Sequence, residues 1–156
     1  MYDLVLSLHS IVRWIALIAG IVAVVRAFMG WFGNRSWVQL DDRLGLIFTS
    51  VMDLQLLLGL LLYFFLSPLT KAALQNFGAA MSDSTLRYFA VEHILIMIIA
   101  VVLAHVGRSM AGKAQEPVKK HQRAALWFGL SVLLMLLAIP WPFLAAGAGR
   151  PWIRIG

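Results

Sequence analysis

The sequence contains no cysteine among its 156 residues. This absence excludes disulfide bonds, iron–sulfur ligation, thiolate catalysis and covalent attachment of a c-type haem. Charged side chains are also scarce, at 13% of the residues, whereas a soluble domain carries about a quarter. The sequence has no phosphate-binding glycine loop, zinc-protease motif, nucleophile elbow or paired-carboxylate motif. It therefore gives no indication of an enzyme that acts on its own.

Apolar side chains are in large excess, at 62% of the residues, with a mean hydropathy of +0.86. A water-soluble fold of this length could not bury so many of them, so lipid is the expected surroundings. Four apolar stretches reach the roughly 20 residues that a helix needs to cross a bilayer. They run from about 4 to 31, 44 to 66, 88 to 106 and 124 to 144. The sequence predicts an all-α fold, a single-domain integral membrane four-helix bundle with up-down-up-down topology.

The net charge of +6 comes from basic residues beside the apolar stretches. There they indicate orientation and headgroup anchoring, not nucleic-acid binding. Four crossings place both termini and the loop near 67–87 on one side, called side A. The loops near 32–43 and 107–123 lie on side B, which carries the larger set of basic residues: Arg35, Arg43, Arg108, Lys113, Lys119, Lys120 and Arg123. The positive-inside rule predicts a cytoplasmic side B and both termini on the periplasmic or outer side.

Ionisable side chains within membrane helices are costly and mark candidate functional sites. His9 and Arg13 share a face of the first helix, while Glu92 and His93 lie near the start of the third. Because these two helices run parallel, His9 and His93 are expected at similar depth. They could take the two axial positions of a b-type haem iron, with Arg13 beside a propionate or Glu92. The structural alternative is an Arg13–Glu92 ion pair, with both imidazoles bonded to backbone carbonyls or interfacial water.

A second group of ionisable residues lies toward side B. Asp53 is near the middle of the second helix, and Arg26 and His105 approach it from neighbouring helices. A carboxylate in lipid must be paired or protonated, so we expect Arg26 as its partner and His105 as the next choice. A proton relay or an acid facing a quinone is the functional alternative. His105 could also be a single axial ligand to haem or to the magnesium of a chlorophyll-type pigment.

Several motifs are familiar in combination: Leu8-His9-Ser10 with Arg13-Trp14, the run Leu54 to Gly59, Val91-Glu92-His93, Gly107-Arg108 and Ile139-Pro140-Trp141-Pro142. Over nearly the whole chain the sequence resembles small four-helix membrane proteins of bacteria that are called cytochrome b or cytochrome b-like. The resemblance implies a multi-pass bundle in the bacterial inner membrane, with haem at His9 and His93. Those proteins often have a histidine where this chain has Asp53, so any ligand role of that position is lost.

Two main hypotheses follow. In the first, the chain is a membrane subunit of a larger respiratory or photosynthetic complex, binds haem b through His9 and His93, and transfers electrons. In the second, it is a cofactor-free accessory subunit that stabilises such a complex or holds lipid or pigment. The short loops and the missing histidine at Asp53 favour the second hypothesis. A proton or solute conduit through Asp53 is a third.

Overall fold

A computed structural model describes residues 1–147 and 149–154, and within these ranges the regular secondary structure is entirely helical. Four helical segments are long and apolar enough to cross a membrane. We call them the first span (Tyr2–Phe32), the second span (Gln39–Leu66), the third span (Ser84–Lys113) and the fourth span (Pro117–Ala138). The predicted all-α bundle with four membrane helices is confirmed.

The second and third spans each contain a π-helical turn on side A. The second is α-helical over Gln39–Leu61 and π-helical over Leu62–Leu66. The third is α-helical over Ser84–Arg87, π-helical over Tyr88–Glu92 and α-helical again over His93–Lys113. Such turns carry i→i+5 spacing and occur frequently at functional sites. His93 directly follows the second of them.

The fourth span differs from its predicted range of 124–144. It begins at Pro117, because proline suits the first turn of a helix, where its missing N–H is not needed. It ends at Ala138, because Ile139 precedes Pro140 and takes an extended conformation, with φ −74° and ψ 128°. The helix therefore starts earlier and stops sooner than the apolar stretch suggests.

Two short helices, Pro68–Gln75 and Phe77–Ala80, cross side A between the second and third spans. The Thr70 hydroxyl donates to the Tyr63 carbonyl at 2.8 Å, and the Tyr63 hydroxyl donates to the Ala90 carbonyl at 2.9 Å. These bonds tie the short helices to both neighbouring spans. Residues 67–83, called the cover loop, therefore pack over the side A end of the bundle.

The spans form a ring in which the first and third each pack against the second and fourth. Small residues line much of the core, as is typical of membrane helices that approach closely. Phe48 and Phe128 meet edge to face, with ring centroids 5.5 Å apart. A Cβ atom added to Gly20 would lie 2.7 Å from both Phe48 and Val132. This part of the bundle is tightly packed.

The chain after the fourth span, residues 139–154 apart from Ala148, is called the C-terminal segment, and it turns back over side A. The Trp152 carbonyl accepts hydrogen bonds from the Arg13 guanidinium and the Trp14 indole. The Arg154 backbone N–H donates to the Ser10 hydroxyl at 3.1 Å. The C-terminal segment therefore closes the bundle against the start of the first span.

Candidate functional site

A cavity of about 180 Å³ lies in the side A half of the bundle. All four spans or their ends contribute to its wall, together with the cover loop and the C-terminal segment. Most of the wall is apolar and includes Met52, Met97 and Met135, whose flexible side chains adapt to irregular shapes. Polar groups interrupt it, among them His9, Gln55, His93 and three arginines, beside several hydroxyl side chains. An apolar pocket with few convergent polar groups is the usual form of a ligand site.

His9 reaches the cavity from the first span and packs against the second. The Gln55 side-chain amide lies 3.2 Å from His9 Nε2. Gly59 leaves room for the ring, since an added Cβ would be 3.3 Å from His9 Cε1. His9 Nδ1 is buried and has no hydrogen-bond partner among the described residues. The Gln55 amide nitrogen donates to Nε2, so the neutral ring carries its proton on Nδ1. A buried N–H without an acceptor is costly, so this atom marks a position for a hydrogen-bond acceptor on a ligand.

His93 is held in the cavity wall by the end of the fourth span. Its Nδ1 lies 2.7 Å from the Ala138 carbonyl oxygen. A carbonyl can only accept, so Nδ1 carries the proton and the neutral ring keeps its Nε2 lone pair free. Histidines that bind metals are commonly oriented by this kind of bond to a backbone carbonyl. The Tyr88 hydroxyl donates to the same carbonyl at 2.7 Å.

The structure therefore brings His9 and His93, from parallel spans, to one cavity, as their matched positions predict. Within residues 1–147 and 149–154, no cluster of three or more histidine, aspartate or glutamate side chains could hold a metal ion. Two imidazoles are enough for a metal that already has most of its ligands from a cofactor, such as haem iron, which is bound by the four nitrogens of the porphyrin. The ligand roles of His9 and His93 stay predictions.

Three arginines line the cavity. Arg13 comes from the first span, and Arg150 and Arg154 come from the C-terminal segment. Arg154 pairs with Asp3 at 2.8 Å, and the Arg150 guanidinium lies 4.4 Å from the Phe89 ring centroid. The Nε atoms of Arg13 and Arg154 are buried without a partner in the described part of the chain. Because Asp3 is the one carboxylate paired with these three cations among the described residues, this end of the cavity can hold an anionic group.

Burial lowers the pKa of Arg150 from its ordinary value. A guanidinium nevertheless stays protonated at neutral pH. Sequence reasoning missed both Arg150 and Arg154, because nothing local indicates that the C-terminal segment returns to the first span. The break at Ile139-Pro140 was the available signal, since a chain that leaves its helix there is free to fold back.

The expected Arg13–Glu92 ion pair is corrected by the structure. Glu92 accepts from Arg87 at 2.7 Å, because the π-helical turn between them stacks residues five apart. Arg13 donates to the Trp152 carbonyl instead. Glu92 therefore does not neutralise the charge of Arg13, and Arg13 lines the cavity.

The expected Asp53–Arg26 pair is also corrected. Arg26 bonds to Asp41 at 2.8 Å, a residue near the start of the second span and about 18 Å along the helix from Asp53. Asp53 pairs with His105 at 2.7 Å, which was the second choice. His105 is not among the residues that line the cavity. The structure therefore separates it from His9 and His93.

The basic stretch 119–123 indicates a solvated anchor by its charge and polarity, but the structure buries one of its residues, His121. Its side chain is fully buried, its ring centroid lies 4.8 Å from that of Trp37, and Nε2 is 3.4 Å from the Ser36 carbonyl. Gly30 makes this possible, since an added Cβ there would lie 2.3 Å from the ring. His121 closes the side B end of the bundle.

Comparison with models of known protein families, with curated proteins and with solved structures gives no match. The cavity and its residues are therefore the basis for assigning a function.

Proposed function

We propose that this chain binds a b-type haem between His9 and His93 and transfers electrons as a subunit of a larger energy-transducing membrane complex. The observation that carries the proposal is that histidines from the first and third spans line one apolar cavity inside the bundle. The connecting loops are too short for a soluble catalytic domain, so electrons would pass to and from other proteins. Location in a bacterial inner membrane is part of the same proposal.

One of the two histidines already presents a lone pair to a haem iron, and the other needs a local change. His93 has Nε2 free because its Nδ1 donates to Ala138, and His9 would bind iron through Nε2 once the Gln55 amide nitrogen, 3.2 Å away, moves off it. Arg13, Arg150 and Arg154 provide cationic groups for the two propionates, which guanidinium groups bind well. A bound haem would supply one-electron oxidation and reduction.

The protein's own residues would then have three tasks. The Ala138 carbonyl orients His93 and raises the basicity of its ring. Gln55 holds the ring of His9 from the second span through Nε2 and would give up this contact to the iron. The C-terminal segment closes the cavity over side A and excludes water. At about 180 Å³ the cavity is smaller than the roughly 300–1,000 Å³ of most ligand pockets, so we expect the methionine-rich wall to adjust to the ring.

A second candidate is a cofactor-free accessory subunit that holds a lipid. The modest cavity volume and the two unpartnered arginine Nε atoms favour it. An acyl chain would occupy the apolar part of the cavity, and a phosphate would face Arg13 and Arg154. This function needs neither histidine as a ligand.

The test is the visible spectrum of the protein purified from membranes in mild detergent. Haem binding predicts a Soret band and a b-type pyridine haemochrome, both lost in His9→Ala and His93→Ala. His105→Gln is the matched control, because it changes a histidine in a span but outside the cavity, and it should keep the spectrum. Folded protein that stays colourless after haem addition, with co-purified phospholipid detected by mass spectrometry, would favour the accessory subunit.

A further inference from the structure

A hydrogen-bonded histidine–aspartate pair joins the second and third spans away from the cavity. His105 Nε2 lies 2.7 Å from Asp53 Oδ1. Asp53 is near the middle of the second span, and His105 is about one turn deeper in the membrane than Arg108. The pair therefore lies within the part of the bundle that the bilayer surrounds.

The pair faces outward, with 49% of the Asp53 side chain and 46% of the His105 side chain exposed. Neither side chain makes another hydrogen bond within the described residues. Asp53 Oδ2 and His105 Nδ1 therefore lack partners in the isolated chain. Lipid tails cannot supply them, and ionisable groups within membrane helices almost always face protein or a water-filled cavity. The unsatisfied atoms of this surface are therefore suited to contact with another polypeptide.

Small residues flank the pair on the same faces of the two spans. Ser50 precedes Asp53 by about one turn and Ser109 follows His105 by about one turn, and both are exposed. Further along the same face of the third span, a Cβ added to Gly112 would meet nothing within 4 Å. Small residues allow the backbones of membrane helices to approach closely. We name Ser50, Asp53, His105 and Ser109 the pair face.

We infer that the pair face packs against the pair face of a second copy in a two-fold symmetric dimer. With one proton on the pair beyond the Nε2–H, held either by His105 Nδ1 or by Asp53 Oδ2, one of the two free atoms is a donor and the other is an acceptor. A two-fold axis normal to the membrane brings the donor of each copy to the acceptor of the other, because such an interface is self-complementary. Both unpartnered atoms are then satisfied by groups that the chain itself supplies at the correct depth.

The experiment measures dimerisation in phospholipid vesicles by energy transfer between labelled copies. Because the chain has no cysteine, a single Ser82→Cys change in the exposed cover loop gives one labelling site. Two variants address the interface: Asp53→Leu with His105→Leu removes the hydrogen-bonding groups, and Ser109→Trp blocks close approach but keeps them. Ile18→Trp is the matched control, since Ile18 is 60% exposed near the middle of the first span.

The parent chain and Ile18→Trp should dimerise equally. Each interhelical hydrogen bond in a membrane is worth about a threefold change in association, so the loss of two symmetric bonds should weaken the dimer about tenfold. Ser109→Trp should weaken it at least as much while circular dichroism shows an intact helical fold. A parent chain that is monomeric at every protein-to-lipid ratio overturns the inference. Dimerisation that is equally strong in all four proteins, or a pair face occupied by a different polypeptide in native membranes, also overturns it.

Discussion

The Nδ1 atom of His93 lies 2.7 Å from the Ala138 carbonyl oxygen, across the interface between the third and fourth spans. That carbonyl is available because the fourth span ends at Ala138, and the last carbonyls of a helix lack partners along the chain. Pro140 and the extended Ile139 cause this ending. The end of the fourth span thus frees the Ala138 carbonyl, which accepts from His93 on the third span and orients its ring.

The contact between Gly59 and His9 gives the first prediction. Valine at position 59 would push against the His9 ring, because even a Cβ lies only 3.3 Å from Cε1. Displacing a ligand or its support usually lowers affinity by about 10–100-fold. We therefore expect Gly59→Val to reduce haem occupancy about tenfold or more, measured from the Soret absorbance per protein after titration with haem.

Gly129→Val is the matched control for this prediction. Gly129 lies in the fourth span, and an added Cβ there meets nothing within 4 Å. The control should keep its haem. Equal occupancy in the two variants would contradict the placement of His9 as a ligand that depends on Gly59.

The arginine cluster gives the second prediction. Arg150 lies in the cavity wall and is held over Phe89 without a carboxylate partner among the described residues. Arg150→Gln removes one cationic group from the cavity, so haem dissociation should become roughly tenfold to a hundredfold faster, which corresponds to the loss of one charge-assisted hydrogen bond. The measurement is transfer of haem to excess apomyoglobin.

Arg35→Gln, on the side B loop, is the control for Arg150→Gln. It changes the same side chain on an exposed surface away from the cavity. If both variants release haem at the parent rate, Arg150 does not contact an anionic group of the ligand. A phospholipid ligand instead predicts loss of bound phosphate in Arg150→Gln without any visible spectrum.

The spans and the pairing of His9 with His93 in one cavity could be predicted because each depends on local information. An apolar stretch of sufficient length defines a membrane helix, and equal distances from the starts of parallel helices place residues at equal depth. The ion pair between Arg87 and Glu92 could not be predicted in the same way. An α-helix puts residues three or four apart on one face, and the π-helical turn that pairs residues five apart has no clear sequence signal.

The remaining parts of the site depend on contacts between distant segments. Arg154 reaches Asp3 only because the C-terminal segment folds back over side A. His121 is buried only because Gly30, on another span, leaves a space for its ring. Charge and polarity suggest a solvated position for both side chains. Tertiary packing overrides that local preference.

The close approach of Gly30 and His121 gives the third prediction. Gly30→Ala would place a Cβ 2.3 Å from the buried His121 ring, and overpacking of this kind costs about 1–3 kcal/mol. Gly112→Ala is the control, with nothing within 4 Å of the added atom, and should be neutral or slightly stabilising. Unfolding in mixed detergent micelles measures both. His121→Ala in the Gly30→Ala background should recover part of the loss, and no recovery would contradict the assignment of the clash.

Membrane orientation gives the last prediction, and it decides on which side the proposed haem would exchange electrons. The excess of basic residues on side B predicts a cytoplasmic side B. The chain lacks cysteine, so Ser82→Cys on side A and Lys113→Cys on side B can be compared separately, and both positions are exposed. In intact cells a membrane-impermeant maleimide should label Ser82→Cys at once and Lys113→Cys only after permeabilisation. This result places His9, His93 and the arginine cluster in the outer half of the bilayer, where they would meet a redox partner on the periplasmic or outer side. The reverse labelling would contradict the predicted orientation and move that partner to the cytoplasm.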